Sequence, residues 1–243
     1  MQLAGRVALI TGASRRVGAA IARRLAAAGC HVALHYRESP TDANAVAEAC
    51  RAAGVQAEVF AADLGDAAAA AGLAGRVLER FDRLDVLVNN ASVFKPMTLD
   101  TFALADWERT LRINLTAPAV LVHAAQTALR AARGCVINLC DVSVARPWPD
   151  HLAYMVSKGG LETLTRVLAR ALAPDVRVVG VAPGVAAWPE SYPQELRERL
   201  LARVPLQRAG TPEDIAAAVH FVLAEGDYIT GAILPIDGGR HVV

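Results

Sequence analysis

The sequence predicts one doubly wound α/β domain over residues 1–243: a mostly seven-stranded parallel sheet with helices on both faces. Three observations predict it. Short apolar runs alternate with stretches of helical period along the chain, which implies right-handed βαβ crossovers. A glycine-containing turn, Thr11-Gly12-Ala13-Ser14-Arg15-Arg16-Val17-Gly18, follows the first run and opens the first helical stretch. Hydrophobic residues are 54% of the chain and aromatics only 5%, so Ala, Val and Leu must build the core, as Ala-rich helices on an aliphatic sheet do.

Arg6–Ile10 is the first buried strand, ended by Thr11-Gly12. Apolar residues at helical spacing make Gly18–Ala28 a helix that Gly29 stops. His31–Tyr36 is strand-like, and a helix from about Thr41 to Ala53 ends at Gly54. Gln56–Ala61, Leu84–Val88 and Cys135–Leu139 are the next strands, with helices at Asp66–Phe81 and Asp106–Arg130 between them. A long helix at Leu152–Ala173 precedes a strand at Arg177–Val181. A Pro- and Trp-containing loop, Ala182–Pro193, leads to helices at Gln194–Arg203 and Thr211–Ala224 and a last strand at Ala232–Ile236. Thr211-Pro212-Glu213-Asp214 is a strong helix start, with a hydroxyl cap, proline at the first position and acids in the first turn. No linker, charge block or repeat divides the chain.

Composition excludes several function classes. Twenty-five basic and 24 acidic residues give a net charge of +1 with the cations dispersed, so neither nucleic acid nor an anionic membrane is an expected partner. No apolar run approaches the ~20 residues that span a bilayer. A strand pattern begins just after Gly5 without a basic region and long apolar core, so a cytoplasmic protein without secretory signal is expected. Cys30, Cys50, Cys135 and Cys140 form no CxxC and no Cys/His cluster; they read as small buried hydrophobes, and no metal site is expected.

The glycine turn lies where free helix N–H groups can receive a pyrophosphate, which makes the domain Rossmann-type. Arg16 stands where such a turn often has its middle glycine, and a cation there suits an anionic ligand. At the end of the second strand an NAD site places a carboxylate. This chain has His35-Tyr36-Arg37 instead, so Arg37 and Arg16 point to the 2′-phosphate of NADP(H), with Glu38 as an opposing charge. Asp63-Leu64 could meet the adenine edge or simply cap a turn. Asn89-Asn90-Ala91 follows the fourth strand at its carboxyl end, where parallel sheets bind ligands.

Tyr154 and Lys158 are one helical turn apart and so share a face. A nearby ammonium favours the phenolate and can lower a tyrosine pKa by roughly one to three units, into the range of a general acid or base. Asp141 lies thirteen residues before Tyr154.

The TGxxxRxG turn, the Asn89-Asn90-Ala91-Ser92 stretch, Asn114, the YxxxK pair, Ala182-Pro183-Gly184 and the terminal Ile236-Asp237-Gly238-Gly239 together resemble a short-chain dehydrogenase/reductase over essentially the whole length. The resemblance implies that Tyr154 is the catalytic acid, that Lys158 lowers its pKa and holds the nicotinamide ribose, and that Asn114 anchors a water in the proton relay. It implies a cofactor site of Gly12, Ser14, Arg16, Val17, Gly18, His35, Tyr36, Arg37, Asp63, Leu64, Asn90, Ala91, Ser92, Tyr154, Lys158, Pro183 and Gly184. A homotetramer is the corresponding expectation.

One departure redirects the chemistry. Relatives carry a serine where this chain has Asp141. A carboxylate would repel a developing alkoxide but stabilise a protonated ring nitrogen, so Asp141 favours a C=N over a C=O substrate. Arg16, His35-Tyr36, Asn90 to Phe94, Asp141 and the Asp237-Gly238-Gly239-Arg240-His241 ending resemble the pteridine reductase branch, including dihydromonapterin and alternative dihydrofolate reductases. That resemblance implies that Phe94 stacks on a pterin, that Ser92 and Arg16 help hold it, and that Asp141 and Tyr154 handle protons. The expected substrate is a small-molecule dihydropterin or dihydrofolate. Two alternatives remain at this level: a carbonyl reductase using Ser143, such as a 3-oxoacyl reductase, and a non-catalytic dinucleotide sensor. His151 borders the site in sequence without a required role, the Trp188/Tyr192 loop is where a substrate lid is expected, and Arg240 and His241 could reach a neighbouring subunit.

Overall fold

The computed structural model describes residues 1–186, 188 and 192–243. Four short β-strands and their crossover helices come first: β1 (Val7–Ile10), α1 (Arg16–Ala27), β2 (His31–Tyr36), α2 (Pro40–Arg51), β3 (Ala57–Ala61), α3 (Ala67–Phe81) and β4 (Val86–Asn89). After α4 (Leu104–Leu111) and α5 (Ala117–Ala131) come β5 (Cys135–Leu139), α6 (Leu152–Ala171) and β6 (Arg177–Pro183). The chain closes with α7 (Gln194–Leu201), α8 (Pro212–Ala224) and β7 (Ile233–Ile236).

The seven strands form one sheet in the order β3-β2-β1-β4-β5-β6-β7, and every pairing is parallel. Strand alternation assigns the two faces. Ala8 and Ile10 pack into one core with residues of α1, α2 and α8, while Val7 and Leu9 pack into the other with residues of α3, α5 and α6. Strand order reverses between β1 and β4, so a crevice opens at their carboxyl ends, the ligand position of doubly wound sheets.

The α8 start is as expected: Thr211 and Asp214 form a reciprocal capping box and Pro212 opens the helix. The expected continuous helix over 106–130 is corrected. It is two helices joined by a wide π-turn at Arg112–Thr116, because Pro118 has no N–H to donate to the Asn114 carbonyl four residues earlier. The turn faces the long helix closely, since a Cβ on Gly160 would meet Leu115 Cδ2 at 2.7 Å. Part of the expected loop over 182–193 lies outside the described residues; Trp188 and Tyr192 are within them, 6.4 Å apart between ring centroids, with the Arg197 guanidinium over Trp188.

Candidate active site

The crevice at the β1/β4 switch is a cleft of about 510 Å³. Of the expected cofactor residues, Gly12, Ser14, Arg16, Val17, Gly18, His35, Tyr36, Arg37, Asp63, Leu64, Asn90, Ala91, Ser92 and Tyr154 line it, and so does Phe94. The turn that forms its floor is held tightly. A Cβ on Gly18 would stand 2.6 Å from Asn90 Nδ2 and closer still to the Gly12 carbonyl oxygen. Asn90 Nδ2 donates to the carbonyls of Thr11 and Gly12, and the Thr11 hydroxyl accepts from the N–H groups of Asn90 and Ala91. Arg16 adopts φ 50°, a left-handed backbone that costs a side-chain-bearing residue about 1 kcal/mol or more.

His35 does something the sequence did not indicate. Its Nδ1 accepts from the Gly12 N–H at 3.0 Å, which forces Nε2 to carry the proton it donates to the Ala62 carbonyl at 3.1 Å. The ring must therefore be neutral, and burial holds its pKa below the ordinary histidine value. Arg37 is half-exposed and paired with Glu38 at 2.8 Å. Asp63 accepts from the Gly65 N–H at 2.9 Å and pairs with Arg109, so it caps its own turn at the cleft edge.

At the other end of the cleft, α6 brings Tyr154 beside the loop after β5. The Tyr154 hydroxyl donates to Asp141 Oδ2 at 2.6 Å. The other carboxylate oxygen, Oδ1, accepts from the Ser143 N–H at 2.8 Å and caps a 3-10 turn at Val142–Ala145. Asp141 thus faces the phenol, and Ser143 supplies a backbone donor that orients it. Lys158 is buried, donates to the Leu139 carbonyl at 2.6 Å and lies 5.6 Å from the Tyr154 ring centroid. Burial holds the lysine pKa below its usual value.

The expected lowering of the tyrosine pKa is corrected. Burial and then the Asp141 carboxylate, as charge and as acceptor, push the Tyr154 phenol well above its ordinary value. At neutral pH the group is a phenol holding its proton.

Asn114, in the π-turn, clamps the backbone of Val93 from both sides: Oδ1 accepts from its N–H at 2.8 Å and Nδ2 donates to its carbonyl at 3.0 Å. Nδ2 also donates to Ser157 on α6. The clamp fixes the next residue, Phe94, whose ring stands edge-on to Tyr154 at 4.8 Å and stacks on His151 at 4.3 Å. Trp148 meets both Phe94 and His151 edge-on. His151 Nδ1 contacts Asp150, and its buried Nε2 has no protein partner among the described residues. A second buried ladder runs from Asn89 to Asn138 to Thr165, tying α6 to the sheet.

Pro183 ends β6, and Gly184 directly after it donates its N–H to the Ile236 carbonyl, while a Cβ there would meet Asp237 at 2.7 Å. Arg240 lies over the Trp148 ring of its own chain at 5.6 Å. His151, Trp148 and the Asn138 ladder were not assigned from sequence. Only the position of His151, one turn before Tyr154, carried a signal.

A family model described as enoyl-(acyl carrier protein) reductase matches residues 12–241. The chain is 35% identical over 240 residues to 3-oxoacyl-(acyl-carrier-protein) reductase FabG of Staphylococcus aureus, covering 97% of this chain and 98% of that protein. Among solved structures, FolM alternative dihydrofolate reductase 1 from Brucella canis, complexed with NADP, superposes with TM-score 0.93 at 34% identity over 100% of this chain and 96% of that one. A Serratia marcescens short-chain dehydrogenase/reductase superposes with TM-score 0.93 at 35% identity, over 99% and 100% of the two chains.

Proposed function

The chain belongs to the short-chain dehydrogenase/reductase family, and on that premise we propose that it is an NADPH-dependent reductase of a dihydropteridine. The observation that carries the reading is the 2.6 Å hydrogen bond from Tyr154 to the Asp141 carboxylate.

The cleft fits a dinucleotide. Gly12 and Gly18 let the turn close tightly on Asn90 and Ala91, where a Cβ would clash, and Arg16 and Arg37 line the cleft where a 2′-phosphate would lie. The Brucella and other NADP-bound neighbours support NADP(H) as the cofactor. Bound NADPH supplies a hydride to the substrate. The chain's own residues supply the rest. Phe94 offers a half-exposed ring at the cleft on which a flat heterocycle can stack. Tyr154 keeps its proton at neutral pH and can give it to a ring nitrogen. Asp141 sets the sign: two unit charges ~4 Å apart interact by about 4 kcal/mol at an effective dielectric of about 20, in favour of a protonated nitrogen and against an alkoxide. Lys158 adds a buried cation that supports the phenol once its proton has left.

The FabG relatives favour a second reading, reduction of a 3-oxoacyl thioester, in which Ser143 would hold the carbonyl. Against it, Ser143 contributes its backbone N–H to Asp141, and the carboxylate faces the phenol. NADPH oxidation across a panel of dihydrobiopterin, dihydromonapterin, dihydrofolate and a 3-oxoacyl thioester tests the choice. Turnover of the pterins with little thioester turnover is expected, and the reverse order would replace this reading with the second.

A further inference from the structure

A second cavity, of about 580 Å³, lies beside the first and within the size range of small-molecule sites. Its walls come from the 3-10 turn that follows Asp141, from the segment after α7 and from the carboxyl terminus. Arg146, Arg203 and Arg240 line it, with apolar surface from Trp148 and Val204; no Asp or Glu side chain is among its lining residues, and the carboxyl group of Val243 is set against three guanidinium groups. The near-neutral chain thus gathers three guanidinium groups in one concavity. Arg146 and Arg203 are exposed and enter no ion pair among the described residues, while Arg240 lies over Trp148. His241 also borders the cavity, its ring held by Asp237 at 2.9 Å.

Two connections join this cavity to the reacting centre. Ser143, in its wall, donates to the carboxylate that receives the Tyr154 hydroxyl. Trp148, in the same wall, touches Phe94, which touches Tyr154. A substrate whose ring lies on Phe94 can therefore run past Trp148 and end among the arginines. Flat guanidinium groups match carboxylates in a bidentate fork, and the indole offers a face or edge to an aromatic spacer.

We propose that this cavity binds the carboxylate-bearing tail of the substrate, so that the preferred dihydropterin is a folate-type conjugate with an aryl spacer and glutamate. The assignment of a pterin ring rests on the function proposed above; the tail site is testable without it. The isolated tail, p-aminobenzoylglutamate, is titrated into the intact protein while tryptophan fluorescence is followed, with Trp148→Phe identifying the reporting residue. Binding is expected, tightening as further glutamates are added, and weakening by about tenfold or more in Arg146→Gln/Arg203→Gln, as loss of charge-assisted hydrogen bonds implies. In the same double variant the ratio of KM for dihydrofolate to KM for dihydromonapterin should rise about tenfold, and high salt should raise that ratio in the unmodified protein. An unchanged tail affinity, an unchanged KM ratio, or binding of phosphopantetheine with none of p-aminobenzoylglutamate would overturn the proposal. Tail binding without turnover of any pterin would instead reject the pterin assignment and leave the anionic-tail site standing.

Discussion

Tyr154 and Asp141 act as a unit in which burial first, and then the carboxylate, holds the phenol in its protonated state. Burial alone would raise the tyrosine pKa, and an adjacent negative charge that accepts its hydrogen bond raises it further. Tyr154 should therefore remain un-ionised up to and beyond pH ~10, the value of a free phenol. In Asp141→Asn the raising charge is gone while the packing is kept, so ionisation should begin at lower pH. Ultraviolet difference titration against Tyr154→Phe measures this, and an identical titration in both proteins would remove the coupling. Sequence spacing placed Tyr154, Lys158 and Asp141 together, but it suggested the wrong direction for the phenol. The number of residues between two groups says that they can meet; it does not say that Asp141 takes the phenol's hydrogen bond while Lys158 donates to the Leu139 carbonyl. His151 shows the same limit, since its stacking on Phe94 depends on a loop whose path no periodicity encodes.

At the level of elements, the nucleotide turn is held by its neighbours rather than by its own sequence. β2 contributes His35, whose neutral ring accepts from Gly12, and β4 runs into Asn90, which closes the turn from the other side. The His35 pKa is lowered in the folded protein, so its contribution is fully present above the unfolded value near pH ~6.5 and is lost as the pH falls through the folded value. Both thermal stability and NADP⁺ affinity should accordingly fall as the pH drops below about 6.5. His35→Gln, which can still accept and donate, should flatten that fall. A pH dependence equally steep in this variant would assign the effect elsewhere. Strand and helix periodicity identified β2 and the turn correctly, because burial on both sheet faces leaves continuous aliphatic runs. It missed the break at Arg112–Thr116, where the apolar pattern continues unbroken and only Pro118 marks the place. That break matters to the site, since it presents Asn114 to the Val93 backbone and so positions Phe94.

Across the whole molecule, seven parallel strands covered on both faces keep the thiols of the chain out of reach of solvent. The four cysteines illustrate it: all are buried and unpaired, and burial pushes Cys30 and Cys140 to about 12 and Cys50 and Cys135 to about 11. A thiol-specific reagent near pH ~8 should find none of them in the native protein and all four after denaturation. Rapid labelling of the folded protein would show that the sheet opens more readily than this packing implies. The fold was legible because every layer repeats one pattern of aliphatic strand and Ala-rich helix. The proposed substrate choice rests, in the sequence, on one residue, Asp141, in the place where the family resemblance leads one to expect a serine. The most direct test of the account is the ratio of kcat/KM for dihydropterin to that for a 3-oxoacyl thioester, measured before and after Asp141→Ser. The account predicts that the ratio collapses by about 100-fold or more, the scale of a general acid–base contribution. An unchanged ratio would contradict it.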